Sequence, residues 1–160
     1  MRPTRLTVLL ALLVSAGAVA WGVLRIAENR GNVPPPLPWA APLGIGLLAV
    51  CVLVSAVALR RRLHGSPGTR PPQPLGVARM AVLGKASSHV GSLLGGFYGG
   101  YALFLLPSLD VDARRERALV SALALAAAVL LVVAGLLLER SCRVPPPPSD
   151  REPPPGVSGP

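Results

Sequence analysis

The feature that most constrains this chain is the distribution of its charged residues. Four windows hold 78 of the 160 residues and none of the 23 charged ones: Leu6–Leu24, Leu43–Leu59, Ala86–Leu106 and Ala118–Leu138. Charged residues make up 14% of the whole chain, whereas a soluble domain carries about 25%. Their complete absence from half of the sequence excludes an ordinary soluble domain.

Each window has about the length of a membrane-spanning helix. A hydrocarbon core of ~30 Å needs roughly 20 apolar residues at 1.5 Å per residue, and the backbone in lipid must form its hydrogen bonds within the segment. A soluble protein of 160 residues is too small to bury four such helices. We therefore predict an all-α integral membrane four-helix bundle within residues 1–144, with spans at about 6–24, 39–59, 84–106 and 118–138.

The first span has an alternative interpretation as a cleaved signal peptide. Arg2 and Arg5 precede the apolar stretch Leu6–Val14, and Ala18-Val19-Ala20 resembles a signal-peptidase site. Cleavage after Ala20 would leave three spans. We favour a retained anchor, because the apolar run continues to Leu24 and no secreted soluble domain follows.

Lysine and arginine in the short flanks predict the orientation. The N-terminus, the middle loop with its flank and the C-terminal tail carry 11 of these residues, and the other two loops carry 5. All six aromatic residues fall in the opposite, outer half of the predicted spans: Trp21, Trp39, Phe97, Tyr98, Tyr101 and Phe104. We expect a bacterial cytoplasmic membrane protein with both termini in the cytoplasm.

The connecting segments are rich in proline and arginine. Pro34-Pro35-Pro36 predicts a stiff outer connector, Pro107 should end the third helix, and Asp110 or Asp112 should cap the fourth. The middle loop, Arg60–Pro74, reads as a linker without periodicity. Its first three residues are Arg60, Arg61 and Arg62. These arginines either bind anionic lipid or act only as a topogenic signal, and we favour the second role.

The last 16 residues, Pro145–Pro160, contain 8 of the 19 prolines. This composition predicts a disordered cytoplasmic tail with polyproline II character. The positive charge of the chain is not accompanied by interleaved aromatic residues or by a nucleic-acid-binding motif. We therefore expect the lipid bilayer as a partner and no nucleic acid.

The third span carries a glycine zipper on one face. Gly91, Gly95 and Gly99 form a doubled G-x-x-x-G pattern, with Gly96 and Gly100 beside it. At 100° per residue these glycines share one half of the helix, and the large side chains occupy the other: Val90, Leu93, Leu94, Phe97, Tyr98, Tyr101 and Phe104. Glycines let helix backbones approach closely in lipid, so we expect a tight packing face and a bulky face toward lipid or looser neighbours.

The sequence does not decide which helix packs against this glycine face. A ridge of small residues on span four, Ala118, Ala122 and Ala126, is a plausible match. Span one and a second copy of the chain are the alternatives. We favour packing within one chain.

Polar residues at the inner end of the third span form a candidate functional face: Lys85, Ser88, His89 and Ser92. Ionisable groups inside a membrane are functional candidates. However, Lys85 is close enough to the interface to extend its amine to water, and no acidic residue lies within any window to complete a proton relay. A structural role for His89 is therefore the favoured interpretation.

The sequence contains no motif of a known active site. We find no P-loop, dinucleotide-binding fingerprint, G-x-S-x-G or H-E-x-x-H pattern. We accordingly predict no catalytic residues, cofactor or metal site. Cys51 lies mid-span and Cys142 follows the fourth span, so the two should not form a disulfide.

Several short motifs resemble an actinobacterial family of small four-span membrane proteins of unknown function. They are M-R-P-T-R at the start, P-L-P-W at Pro36–Trp39, L-G-K-A-S at Leu83–Ser87, L-L-P-S-L-D at Leu105–Asp110 and L-E-R-S-C-R-V-P at Leu138–Pro145. The resemblance implies that span one is retained and supplies no catalytic residues. We expect a non-enzymatic accessory, scaffold or assembly protein, with a small transporter or channel-like component using the Lys85/His89 face as the alternative.

Overall fold

The computed structural model describes residues 6–31, 37–64, 74–108 and 112–142. They form four helices: α1 (Leu6–Asn29), α2 (Ala40–His64), α3 (Pro74–Leu105) and α4 (Asp112–Ser141). A 3-10 turn, Leu106–Ser108, follows α3. The described part of the chain is thus all-helical. The predictions for Arg2 and Arg5, for Pro34–Pro36, for Asp110 and for the tail lie outside the described residues.

Local sequence signals explain where the helices end. Gly31 follows α1 with a φ of +76°, the left-handed conformation that glycine supplies at a helix C-terminus, and its N–H donates to Glu28 O at 2.9 Å. Pro74 is the first residue of α3, the position where proline suits a helix. Asp112 lies in the first turn of α4, where a negative charge complements the helix dipole.

The predicted loop Arg60–Pro74 is shorter than expected. The structure continues α2 to His64 and begins α3 at Pro74, so Arg79 and Lys85 lie on a helix. Charge-free windows mark the part of a helix that suits hydrocarbon, but they do not mark its ends, because a helix with charged residues continues readily into the interface.

The helices pack in the spatial order α1–α3–α4–α2. Gly17 meets Gly100 and Leu13 meets Gly96, so α1 runs parallel to α3. Gly84 meets Gly135, and Gly91 meets Ala128 further back along α4, so α3 and α4 are antiparallel. The α3–α4 hairpin therefore lies between α1 and α2.

The four-helix bundle is open. Among the described residues, no extended contact joins α2 to α1 or α3. One apolar cluster joins α2 to α4 through Ala49, Val52, Ala56, Leu131, Ala134 and Leu138. A second joins Leu24 of α1 to the end of α3 through Tyr101, Phe104 and Leu105.

Three helices, α1, α2 and α4, are long and apolar enough to cross a membrane. The glycines, serines and His89 of α3 lower its mean hydropathy, although α3 is the longest helix at 32 residues. These small and polar residues mostly lie on its packed faces. The large hydrophobic side chains that α3 exposes are Met80, Val82, Leu83, Val90, Leu93, Phe97 and Leu103, and its charged residues Arg79 and Lys85 are exposed as well.

Candidate functional site: the two packed faces of α3

Two glycines of α3 bring its backbone against α1. A Cβ atom added at Gly96 would overlap Leu13 O of α1, and one added at Gly100 would overlap Gly17 O. The glycine hydrogen in each of those directions therefore points at a carbonyl oxygen of α1, the arrangement of a Cα–H···O contact. No other residue type fits at Gly96 or Gly100 without moving α1.

A second close approach joins the N-terminal half of α3 to the C-terminal half of α4. A Cβ at Gly84 would lie 2.8 Å from Gly135 O, and a Cβ at Gly135 would lie 2.7 Å from Gly84 O. Each glycine thus points a Cα hydrogen at the carbonyl of the other. Gly91 extends this contact, since its Cβ would lie 3.1 Å from Ala128 O.

Sequence reasoning missed Gly84 and Gly135. Gly84 lies seven residues before Gly91, which places both on the same side of the helix. This spacing could have indicated that Gly84 packs on the same neighbour as Gly91. Gly135 is an isolated glycine in the sequence, and no local pattern marks it as a contact residue.

Gly95 and Gly99 lie on the α4 side of α3 but are less crowded. A Cβ at Gly95 would lie 3.7 Å from the Ala128 Cβ, and one at Gly99 would lie 3.7 Å from the Leu125 Cδ1. Both distances are ordinary van der Waals contacts. The five glycines predicted to pack therefore contact two different helices, and neighbouring glycines differ in how much space surrounds them.

The predicted alanine ridge on α4 is wrong. Ala122 and Ala126 are exposed, and Ala118 is half-buried. The residues of α4 that are buried instead include Ser121, Ala124, Ala128 and Gly135. The sequence of α4 is so rich in alanine that several small-residue stripes compete, and their spacing does not select the one that packs.

The bulky half of α3, which we expected to face lipid or looser neighbours, is exposed only in part. Val90, Leu93 and Phe97 are exposed, whereas Tyr101 and Phe104 are buried. The two buried aromatic residues pack with Leu24 of α1, and Leu37 of the α1–α2 connection lies against the same cluster. Leu24 and Leu37 cover the C-terminal end of α3, so the large side chains there are enclosed.

Some residues of the predicted polar face are buried between helices, and others are exposed. Ser88 and Ser92 are 0% and 1% exposed, and their hydroxyls donate to Lys85 O and Ser88 O of the same helix at 2.9 Å each. Lys85 is exposed. The serines are therefore enclosed in the helix packing, and they do not line an open path with Lys85.

His89 also bonds to its own helix. Its Nδ1 lies 2.7 Å from Lys85 O. Because a carbonyl oxygen only accepts, Nδ1 must carry the hydrogen in this contact. His89 is half-buried, and this bond fixes the orientation of its ring along α3.

Polar contacts connect the start of α4 to the end of α1, to Trp39 before α2 and to the end of α3. Trp39 Nε1 donates to Glu116 of α4 at 3.2 Å, and Arg114 Nη2 of α4 donates to Glu28 of α1 at 3.4 Å. Arg117 donates a hydrogen bond to the Tyr101 hydroxyl. These contacts tie the end of α1 and Trp39, just before α2, to the α3–α4 hairpin.

Cys142 follows the inner end of α4. Burial raises the pKa of its thiol, and the negative charge of Glu139 raises that pKa further. The thiol is therefore protonated over a wider pH range than an ordinary cysteine. Among the residues that the structure describes, no group of three His, Cys, Asp or Glu side chains could hold a metal ion.

The fold and its packed glycines define a helical protein with three helices suited to a membrane. The chain belongs to the DUF3180 family, described as a protein of unknown function, whose family model matches residues 9–146. No curated protein and no solved structure matches the chain.

Proposed function

We propose that the protein is a non-enzymatic accessory, scaffold or assembly protein of the bacterial cytoplasmic membrane, with all four helices crossing the bilayer. The observation that carries this proposal is the use of the polar residues of α3 in packing. Ser88 and Ser92 are enclosed between helices, while Val90, Leu93 and Phe97 of the same helix are exposed. Such a protein acts through the surfaces it presents to other membrane components.

The apolar exposed surface of α3 supports its assignment as the fourth span. Its buried glycines and serines face α1 and α4, so in the middle of the helix lipid would meet Val90, Leu93 and Phe97. A hydropathy average counts both sides of a helix equally, but only the outward side contacts lipid. The four-span count and the actinobacterial origin implied by the sequence resemblance remain predictions.

The parallel pairing of α1 with α3 supports a topology with both termini in the cytoplasm. If consecutive helices cross the membrane in alternating directions, the start of α1 and the end of α4 lie on one side. The arginine-rich end of α2 lies on that same side. Lysine and arginine concentrate on the cytoplasmic side of bacterial membrane proteins. Anionic lipid headgroups are then the natural partners of Arg60, Arg61 and Arg62.

Reconstitution into proteoliposomes tests the accessory role against the transporter alternative. Proton and potassium flux would be followed with the wild-type protein, with His89→Ala and with the matched control Ser15→Ala, which alters a polar residue on α1. The proposal predicts no flux above that of empty liposomes. A flux that the wild type and Ser15→Ala support and His89→Ala loses would overturn it in favour of transport.

Labelling of single cysteines in intact cells tests the topology. Reagents that cannot cross the membrane should label a cysteine at Asn32 and should not label one at Ser66, in a background of Cys51→Ala and Cys142→Ser. The reverse pattern would contradict the proposed orientation. Labelling at both positions would contradict the crossing of the membrane by α2.

A further inference from the structure

Lys85 of α3 and Arg140 of α4 lie where each helix leaves its charge-free stretch. Lys85 directly precedes the window Ala86–Leu106, and Arg140 comes two residues after the window Ala118–Leu138. With both helices in the bilayer, these positions lie at the boundary of the hydrocarbon core, where the headgroup region begins. Both side chains are exposed, so each can reach a lipid phosphate.

The contact between α3 and α4 brings these two cations to one side of the helix pair. A Cβ at Gly84 would lie 3.0 Å from Glu139 N, so Gly84 and Glu139 meet at the same depth. Lys85 and Arg140 each follow one of these contact residues directly. Two antiparallel right-handed helices, viewed from one end, rotate in opposite senses, so one step forward on each leads to the same side of the pair. We call the two cations and the contact between them the basic seam.

Acidic side chains do not neutralise the basic seam. Within the part of the chain that the structure describes, neither Lys85 nor Arg140 forms an ion pair, and α3 contains no acidic residue. Glu139 lies about 100° from Arg140 around the helix. Besides burial, the charge of Glu139 raises the pKa of Cys142, so its carboxylate lies toward that thiol.

Two arginines at the opposite end of the helices do have partners within the protein. Arg114 donates to Glu28 at 3.4 Å, and the guanidinium of Arg25 lies 5.3 Å from the centroid of the Trp21 ring. Ion pairing and stacking therefore engage cations at that end. The basic seam instead presents its charge outward and is open to an anion from outside the protein.

An apolar strip on α4 continues from the basic seam toward the middle of the helix. Leu136, Val133 and Val129 precede Arg140 by four, seven and eleven residues, a spacing that keeps all four on one side of a helix. Val133 is 49% exposed and Val129 is 48% exposed. A lipid whose phosphate lies at the basic seam would place an acyl chain along this apolar strip.

We infer that Lys85 and Arg140 bind the phosphate of an anionic phospholipid, whose acyl chain lies along the apolar strip. Basic pockets between membrane helices bind lipid phosphates, and lysine and arginine form strong charge-assisted hydrogen bonds to phosphate. A zwitterionic lipid fits less well, because its amine carries a charge of the same sign as the two cations. The inference rests on the proposed membrane location, and the proposed orientation assigns the lipid to the cytoplasmic leaflet.

Native mass spectrometry of the purified protein in a non-ionic detergent measures this binding. The protein is titrated with phosphatidylglycerol and, separately, with phosphatidylethanolamine. Lys85→Gln and Arg140→Gln should each weaken the binding of the first phosphatidylglycerol about fivefold, which corresponds to ~1 kcal/mol for each basic side chain, and Lys85→Arg should retain it. Arg79→Gln is the matched control, since Arg79 is an exposed cation of the same helix that points about 120° away from Lys85.

We expect phosphatidylglycerol to bind more tightly than phosphatidylethanolamine, and Arg79→Gln to behave like the wild type. Equal losses in Arg79→Gln and Lys85→Gln would overturn the inference in favour of a diffuse attraction, and equal affinities for the two lipids would also overturn it. Displacement of the lipid by an equal concentration of inorganic phosphate would exclude a lipid as the specific occupant. Circular dichroism verifies that each variant keeps its helices. Recovery of the protein in the membrane fraction of cells tests the membrane location separately.

A brominated lipid locates the acyl chain. Val129→Trp and Leu130→Trp, each in a Trp21→Phe, Trp39→Phe background, report on directions about 100° apart at nearly one depth, and both positions are exposed. In phosphatidylcholine vesicles with a minor fraction of phosphatidylglycerol brominated on its acyl chains, fluorescence of Val129→Trp should be quenched more strongly. Addition of Lys85→Gln should remove this difference. Equal quenching at the two positions, with Lys85 intact, would contradict the inference.

Discussion

Neighbouring glycines on α3 should respond in opposite ways to the same substitution. Replacement of Gly96 or Gly100 by alanine places a Cβ against a carbonyl oxygen of α1. Replacement of Gly95 or Gly99 places it 3.7 Å from its nearest neighbour on α4. The four variants change one residue type in the same way, on the same helix and at almost the same depth.

The magnitudes follow from two opposing terms. Alanine is favoured over glycine in a helix by about 1 kcal/mol, and all four variants gain this term. Overpacking a tight contact costs about 1–3 kcal/mol, and each lost Cα–H···O contact costs roughly 0.5–1 kcal/mol; both costs apply only at Gly96 and Gly100. We therefore expect adjacent variants to differ by about 1.5–4 kcal/mol in free energy of unfolding, with Gly95→Ala and Gly99→Ala at or above the wild type.

Unfolding by titration with sodium dodecyl sulfate in mixed micelles, followed by circular dichroism, measures these differences. Fluorescence of Trp21 and Trp39 gives an independent signal from the outer end of the molecule. If Gly96→Ala and Gly100→Ala were as stable as Gly95→Ala and Gly99→Ala, the close contact of α3 with α1 would be refuted. A loss of stability at Gly95 and Gly99 alone would refute the assignment of the glycines to the two helices.

Three further predictions concern other contacts. Gly135→Ala should lower the free energy of unfolding by about 1–3 kcal/mol, whereas Gly46→Ala, whose Cβ would lie 4.0 Å from Ala127, should not; equal stability of the two variants in the same titration would contradict the α3–α4 contact. Because Glu139 raises the pKa of Cys142, alkylation of Cys142 in the Cys51→Ala variant should reach half its maximal rate at a pH above that of an ordinary thiol, and Glu139→Gln should lower this pH; an unchanged profile would exclude the charge effect. Glu28→Gln removes an ion pair whose side chains are 34% and 37% exposed, so it should cost at most about 1 kcal/mol and less in high salt, and a larger loss would show that the pair carries more of the outer contact than its geometry suggests.

The positions of the helices were largely predictable from the distribution of charge. Three of the charge-free windows lie within one helix each, and the window Ala86–Leu106 extends one residue past α3, because lipid-compatible segments must satisfy their backbone internally. Helix ends were less predictable where no proline or glycine marks them. α2 continues past Arg60 to His64, since arginine both suits a helix and suits the interface.

The packing partners were not predictable from one sequence. Gly96 and Gly100 are distinguished from Gly95 and Gly99 only by the side of α3 that each occupies, and the order of the helices decides which neighbour lies there. The burial of Tyr101 was not predictable either, because a helical projection places it on the bulky side of α3, away from the glycines. Leu24 of α1 and Leu37 before α2 lie against that part of α3, and contacts so distant in sequence leave no local pattern.

The most direct test of the helix order is a comparison of two intramolecular distances by pulsed electron paramagnetic resonance. Spin labels at Val14 and Leu47 report on α1 and α2, and labels at Val14 and Phe97 report on α1 and α3, all at exposed positions. The native cysteines are replaced, and unlabelled protein in excess removes distances between copies.

Two intervening helices separate α1 from α2 in the order α1–α3–α4–α2, and each helix contact contributes about 8–10 Å between axes. We therefore predict that the distance from Val14 to Leu47 exceeds the distance from Val14 to Phe97 by roughly 10 Å or more. A closed bundle with α1 beside α2 would make the two distances equal or reverse their order, and that result would contradict the account.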